Sequence, residues 1–207
     1  MTNHIKTVSH WDVSVDNEYL QQNSDTLVIL FPGNKYLIND SYLYYSYNVA
    51  YQCGYDILAL EYGFQKADKK LDMETEMEIL INEMKDTVEE CLHQKRYQNV
   101  ICIGKSLGAY LQTTLIEELT KYITKFVYLT PTEQSIEGIR QSNCVVVVGD
   151  KDPLFTKEHL KKIVSRKNVR VKVVEDVGHN LERADYNESI TILLDIMDTI
   201  YEFIHEI

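Results

Sequence analysis

Apolar positions along this chain follow two rhythms that take turns. Residues 26–31, 55–60, 98–103, 125–129, 143–148 and 169–174 are short, nearly unbroken apolar runs, the pattern of strands buried on both faces of a mainly parallel sheet. Between them, apolar residues return every three or four positions, which predicts amphipathic helices over 41–52, 72–94, 107–122 and 157–165 and a closing helix with Ile190, Leu193, Leu194, Met197, Ile200, Tyr201 and Ile204 on one face. Residues 5–15 alternate loosely and read as one or two edge strands. In the helix over 72–94, Met73, Met77, Leu80, Ile81, Met84, Val88, Cys91 and Leu92 fall on one stripe, and such a stripe reads as core. Tyr44, Tyr47 and Tyr51 share a helical spacing and read as packing residues of the helix over 41–52. Strands alternating with amphipathic helices imply βαβ units: an α/β fold with a mainly parallel central sheet and helices on both faces, in a single domain over 1–207.

In such a sheet the loops at the carboxyl ends of the strands share one rim, where ligands bind. The loops after 31, 60, 103, 149 and 174 therefore hold the candidate chemistry. The third is the most distinctive. The run Val100-Ile101-Cys102-Ile103 stops at Gly104-Lys105-Ser106-Leu107-Gly108, with a serine between two glycines at the spacing of a nucleophile elbow. A strand that turns at once into a helix lifts the serine hydroxyl out of the sheet. It also leaves the Leu107 N–H at a helix N-terminus, suited to a developing negative charge. Gly104-Lys105-Ser106 also resembles the end of a phosphate-binding loop, but that motif needs a glycine at 99 and a flexible stretch after it. Asn99 and a strand-like run stand there instead.

A serine hydroxyl needs a base, and the base an orienting carboxylate. Of the six histidines, His179 in Asp176-Val177-Gly178-His179-Asn180 directly follows the last strand. His4 and His10 lie near one end of the chain, His205 near the other, and His93 and His159 within expected helices. The acid should follow the strand over 143–148, where Gly149-Asp150-Lys151-Asp152-Pro153 offers two aspartates. Asp152 is preferred, being further into the loop and stiffened by Pro153; Asp150 reads as solvated or as a turn cap. An Asp-x-Asp pair could also suggest a metal site, but no histidine or carboxylate cluster accompanies it. A second N–H for an oxyanion should come from Pro32-Gly33-Asn34-Lys35, with Asn34 first and Lys35 next. Lys105, beside the serine, reads as a solvated lysine.

Composition narrows the partners. The 207 residues carry 21 Lys+Arg against 32 Asp+Glu, a formal charge of −11, which disfavours nucleic acid and anionic membrane. The first residues lack the apolar core of a signal peptide, and no run approaches the roughly 18 apolar residues of a membrane span. A cytoplasmic location is expected. The four cysteines, Cys53, Cys91, Cys102 and Cys144, have neither close pairing nor metal-ligand spacing and read as buried, reduced thiols.

With Ser106, Asp152 and His179 in that order, the chain resembles the α/β-hydrolase superfamily, whose members place nucleophile, acid and histidine in the same sequence. The resemblance runs from about Thr26 to the final helix and is carried by Gly104-Lys105-Ser106-Leu107-Gly108, Gly149-Asp150-Lys151-Asp152 and Gly178-His179-Asn180. It departs at Pro32-Gly33, where many members have His-Gly. Many members also insert a lid where this chain has only residues 130–141, so an open site without a sizeable lid is expected. The resemblance implies a serine hydrolase of carboxylesterase type. It would act on a small acyl substrate, or on an acyl group displayed by a larger molecule, with no metal or organic cofactor. A non-catalytic binding or scaffold protein on the same fold, and an acyltransferase or peptidase using the same three residues, are the alternatives.

Overall fold

The computed structural model describes residues 2–164 and 166–206. Its strands are β1 (Thr2–Val8), β2 (Ser14–Leu20), β3 (Thr26–Phe31), β4 (Asp56–Ala59), β5 (Asn99–Lys105), β6 (Ile123–Leu129), β7 (Cys144–Gly149) and β8 (Val169–Val174). Among the described residues they make one eight-stranded sheet in the order β1-β2-β4-β3-β5-β6-β7-β8. β1 and β2 form an antiparallel hairpin that joins β4 antiparallel at one edge, and every other pairing is parallel.

The apolar runs alternate between two cores, as a period of two requires. Leu27, Ile29 and Phe31 of β3 and Val100 and Cys102 of β5 face one core; Val28, Leu30, Ile101 and Ile103 face the other. α3 (Met77–Gln94) and α4 (Leu107–Leu111) cover the first face. α1 (Ser41–Gln52) and α7 (Tyr186–His205) cover the second. The shorter helices α2 (Gly63–Lys66), α5 (Ile136–Gln141) and α6 (Lys157–Ile163) fill the connections after β4, β6 and β7. Among the described residues, no helix is long and apolar enough to cross a membrane.

The chain runs from β3 outward to β4 and then back across β3 to β5. The carboxyl ends of β3 and β5 therefore lead away in opposite directions, which opens the crevice where ligands of parallel sheets bind. Residues Pro32–Asn34 and Ser106 flank that crevice.

Several helices differ from their apolar spacing. α3 begins at Met77, not at 72, because the Asp72 carboxylate accepts from the Glu74 and Thr75 N–H groups and holds a turn there. Met73 of that turn is half exposed rather than core. The helix expected over 107–122 ends at Leu111 and passes into a single 3₁₀ turn, Gln112–Leu115. There the Thr113 and Thr114 hydroxyls donate to the Tyr110 and Leu111 carbonyls at 2.6 and 2.8 Å, competing with the helical ladder. The expected end of α6 at Ser165 lies outside the described residues.

On α1 the buried face is Tyr42, Leu43, Ser46 and Ala50, while Tyr44 and Tyr51 are half exposed. On α7 it is Ile196, Met197, Ile200, Phe203 and Ile204, and Ile190, Leu194 and Tyr201 are exposed. Apolar residues occupy more than one side of both helices: of the expected faces, Met197, Ile200 and Ile204 of α7 are buried and Leu193 and Tyr47 pack against the core, so spacing alone resolves the buried side only in part. Cys91, Cys102 and Cys144 are buried and Cys53 is partly exposed, all as free thiols.

Candidate active site

Ser106 sits between β5 and α4 with φ 55° and ψ −110°, a strained conformation for a residue with a Cβ. Two features hold it there. Its N–H donates to the Leu129 carbonyl at 3.0 Å, tying the turn to the end of β6. The flanking glycines let the backbones close up: a Cβ on Gly104 would lie 2.4 Å from the Gly108 oxygen, and one on Gly108 would lie 2.1 Å from the Phe31 oxygen. The G-x-S-x-G spacing is thus a packing requirement of the β5–α4 turn against β3.

His179 reaches this serine from the loop after β8. Its Nε2 lies 2.9 Å from Ser106 Oγ and its Nδ1 lies 2.8 Å from Asp152 Oδ2. Since a carboxylate only accepts, Nδ1 carries the proton, and Nε2 is left to accept from the serine hydroxyl. The Asp152 carboxylate is fully buried, and its other oxygen accepts from the Leu154 N–H at 2.8 Å. The His179 side chain is 23% exposed, so the chain of groups opens to solvent at the histidine end. The structure brings Ser106, His179 and Asp152 into one hydrogen-bonded line, and the Asp150 side chain takes no part in it.

The His179 loop is fastened from three sides. The Lys151 N–H donates to the Val177 carbonyl at 3.0 Å, the Tyr42 hydroxyl to the Leu181 carbonyl at 2.7 Å, and the Lys105 ammonium to the His179 carbonyl itself at 3.1 Å. Lys105 is a correction to the sequence reading. It is 2% exposed rather than solvated, because β5 is still extended at 105 and sends this side chain to the α1 face, as it does Ile101 and Ile103.

Asn34 and Leu107 border the same crevice. Gln65 of α2 donates from Nε2 to the Gly33 and Asn34 carbonyls at 2.7 and 3.2 Å, fixing the loop after β3. Leu107 is the first residue of α4, so its N–H has no intrahelical acceptor. From Ser106 a groove of about 630 Å³ runs outward, with Met73, Met77, Tyr110 and Leu154 as apolar lining and Glu133 and His159 on its polar side. Sequence periodicity assigned the two methionines to the core and passed over His159 as a helix residue. No motif marks these positions: Met73 reaches the rim from the turn before α3, Met77 from the first residue of α3, where it also packs against the core, and His159 from helix α6.

Residues 42–205 match the model of an α/β hydrolase domain. The chain belongs to the α/β-hydrolase family. This α/β hydrolase superposes on an esterase of Pyrococcus furiosus with a TM-score of 0.76 at 14% identity, covering 100% of this chain and 92% of that one. A dienelactone hydrolase of Anabaena variabilis gives a TM-score of 0.74 at 13% identity, with coverage of 100% and 97%. A serine hydrolase without a lid from Xanthomonas campestris gives 0.68 at 10% identity, with coverage of 99% and 94%. No curated protein sequence matches the chain. The lidless architecture agrees with the short β6–β7 connection of this α/β hydrolase, which holds only a 3₁₀ turn, Glu133–Ser135, and α5.

Proposed function

We propose that this α/β hydrolase is a serine hydrolase that cleaves an ester or related acyl bond through an acyl-enzyme, with Ser106 as nucleophile, His179 as general base and acid, and Asp152 as the orienting carboxylate. One observation carries the reading: His179 hydrogen-bonds at once to the Ser106 hydroxyl and to a fully buried carboxylate. Ser106 Oγ attacks the acyl carbonyl as its proton passes to His179 Nε2, and the resulting imidazolium is stabilised by Asp152. The Leu107 and Asn34 N–H groups receive the negative charge on the former carbonyl oxygen. Collapse expels the alcohol, which takes the proton from Nε2 and leaves the acyl group on Ser106. Water attacks this ester with His179 again as base, and the acid departs.

Two features favour an uncharged, apolar acyl group and water as the acceptor. The groove beside Ser106 has Met73, Met77, Tyr110 and Leu154 along it and a carboxylate, Glu133, on its polar side, which disfavours an anionic acyl group. Without a lid, solvent reaches the acyl-enzyme directly. Each methylene buried in the groove contributes up to about 0.8 kcal/mol. For p-nitrophenyl esters, kcat/KM should therefore rise about two- to fourfold per carbon from acetate to hexanoate, and Ser106→Ala should abolish hydrolysis of all of them. Hydrolysis that survives in Ser106→Ala would overturn the assignment, and a flat chain-length profile would remove the acyl group from the groove.

A further inference from the structure

Lys105 is the residue that the proposed mechanism leaves without a role. It is buried, and among the described residues its ammonium donates two hydrogen bonds: to the Thr130 hydroxyl at 2.8 Å and to the His179 carbonyl at 3.1 Å. Two aromatic rings also cover it, with Nζ 4.8 Å from the centroid of the Tyr36 ring and 5.9 Å from that of Tyr42. Taking an ammonium out of water is expensive unless something repays it. Two bonds, two rings and the carboxylates of Asp152, Glu182 and Asp40 together do not outweigh the burial, so a methionine or leucine would serve packing alone at least as well.

The contacts themselves suggest what the charge does. Thr130 directly follows β6, His179 lies in the loop after β8 and Lys105 ends β5, so this one side chain ties together three loops of the rim. Thr130 is held in the left-handed region at φ 41° while fully buried, a conformation that persists only under tertiary restraint. The His179 carbonyl belongs to the residue whose imidazole must meet Ser106; Lys151 and Tyr42 fasten this loop at Val177 and Leu181, and Lys105 fastens it at His179 itself.

We propose that Lys105 is a positioning residue: its ammonium holds the main chain of His179 so that Nε2 stays within hydrogen-bond reach of Ser106 Oγ, and the protonated form of Lys105 is the active one. The proposal rests on the serine-hydrolase reading above. It gives the charge a reason, since an ammonium is a stronger donor than an amine and alone attracts the two aromatic faces. The groups facing Lys105 are Tyr36, Asp40 and Tyr42 from the side of α1, Asp152 from the loop after β7, and His179 and Glu182 from the loop after β8. The carboxylates of Asp152, Glu182 and Asp40 favour the charged form, but burial outweighs them and brings the ammonium down to about 8. Activity should therefore fall on an alkaline limb near that value. Stability should move the other way. A lysine whose folded pKa is depressed makes the folded state hold fewer protons than the unfolded chain, so this group's penalty is full below pH 8 and is relieved as pH rises toward 10.5.

The test compares wild type with Lys105→Met, using p-nitrophenyl butyrate hydrolysis between pH 6 and 10, titration with a fluorophosphonate to count reactive serines, and circular dichroism at each pH. The expected result is a folded variant whose kcat is about 10- to 100-fold lower, the loss that a misplacement of about 1 Å brings. Its KM should change by no more than about threefold, and the alkaline limb near pH 8 seen in wild type should be absent. A kcat within about twofold of wild type, or a loss confined to KM, overturns the proposal. If the variant does not fold, the wild-type profile decides: a limb near pH 8 on fully folded protein upholds the role, and a profile flat to pH 10 ends it. Wild type that takes up no phosphonate would instead bring down the serine-hydrolase reading, and this proposal with it.

Discussion

Between Ser106 and Asp152 the imidazole of His179 spans two hydrogen bonds of 2.9 and 2.8 Å, and everything proposed for the reaction depends on which tautomer those bonds impose. Asp152→Asn can present an amide N–H to Nδ1 and so push the proton to Nε2, where it opposes the serine hydroxyl. The geometry would survive and the base would not. We expect kcat to fall about 10³- to 10⁴-fold with stability little changed. Asp150→Asn, two residues away and outside the hydrogen-bonded line, should stay within a few-fold of wild type. Comparable losses in the two variants, measured by steady-state ester hydrolysis, would contradict the assignment of the acid. At this scale much of the candidate site was legible. Ser106 stood in a motif with a steric cause, and Asp152 and His179 stood at strand ends. Lys105 was not legible, because the direction of a side chain at the last residue of a strand depends on where the turn begins, and the motif leaves that position unspecified.

Among the elements, the β5–α4 turn is the tightest piece of construction. α4 starts so close to β3 that position 108 has no room for a methyl group. Gly108→Ala must push the helix away from Phe31, and with it the Leu107 N–H and Ser106. Overpacking against main chain, which cannot rotate aside, should cost about 2 kcal/mol or more. It should appear as a lower urea midpoint together with a loss of activity larger than the loss of folded protein explains. A stable, fully active Gly108→Ala protein would show that the turn has slack that the structure does not. The elements also mark where sequence reading runs out. All the strand runs of the parallel sheet were visible, because burial on both faces leaves an unbroken apolar signature. Helix ends and buried stripes were less so. Thr113 and Thr114 bond back to the chain and end α4 early, and the apolar residues on two sides of α1 and α7 hide which side meets the sheet.

Taken whole, the molecule keeps a second buried ionic centre at the amino end of the parallel strands, opposite the rim that holds Ser106. Asp56, at the start of β4, has a fully buried side chain. It accepts from the Gln22 and Ser24 N–H groups at 2.7 and 3.0 Å, from the Tyr97 hydroxyl at 2.8 Å and from the Lys95 ammonium at 3.1 Å. Burial alone would raise its pKa, but these donors together hold it below the usual carboxylate range. The sign follows. The unfolded carboxyl binds protons at higher pH than the folded one, so the stability contributed by Asp56 is present above about pH 4 and is lost as pH falls through the lower folded value. Asp56→Asn should cost about 3 kcal/mol or more near neutrality, the range for breaking one side of a buried ion pair. It should also flatten the acid limb of a urea-midpoint profile between about pH 2 and 5.

The whole arrangement turns on the reactivity of one hydroxyl. Intact mass after exposure to a fluorophosphonate, for wild type and Ser106→Ala side by side, reads it directly. One adduct is expected on the wild-type chain and none on the variant. No adduct on folded wild type, or an adduct that persists without Ser106, would contradict it.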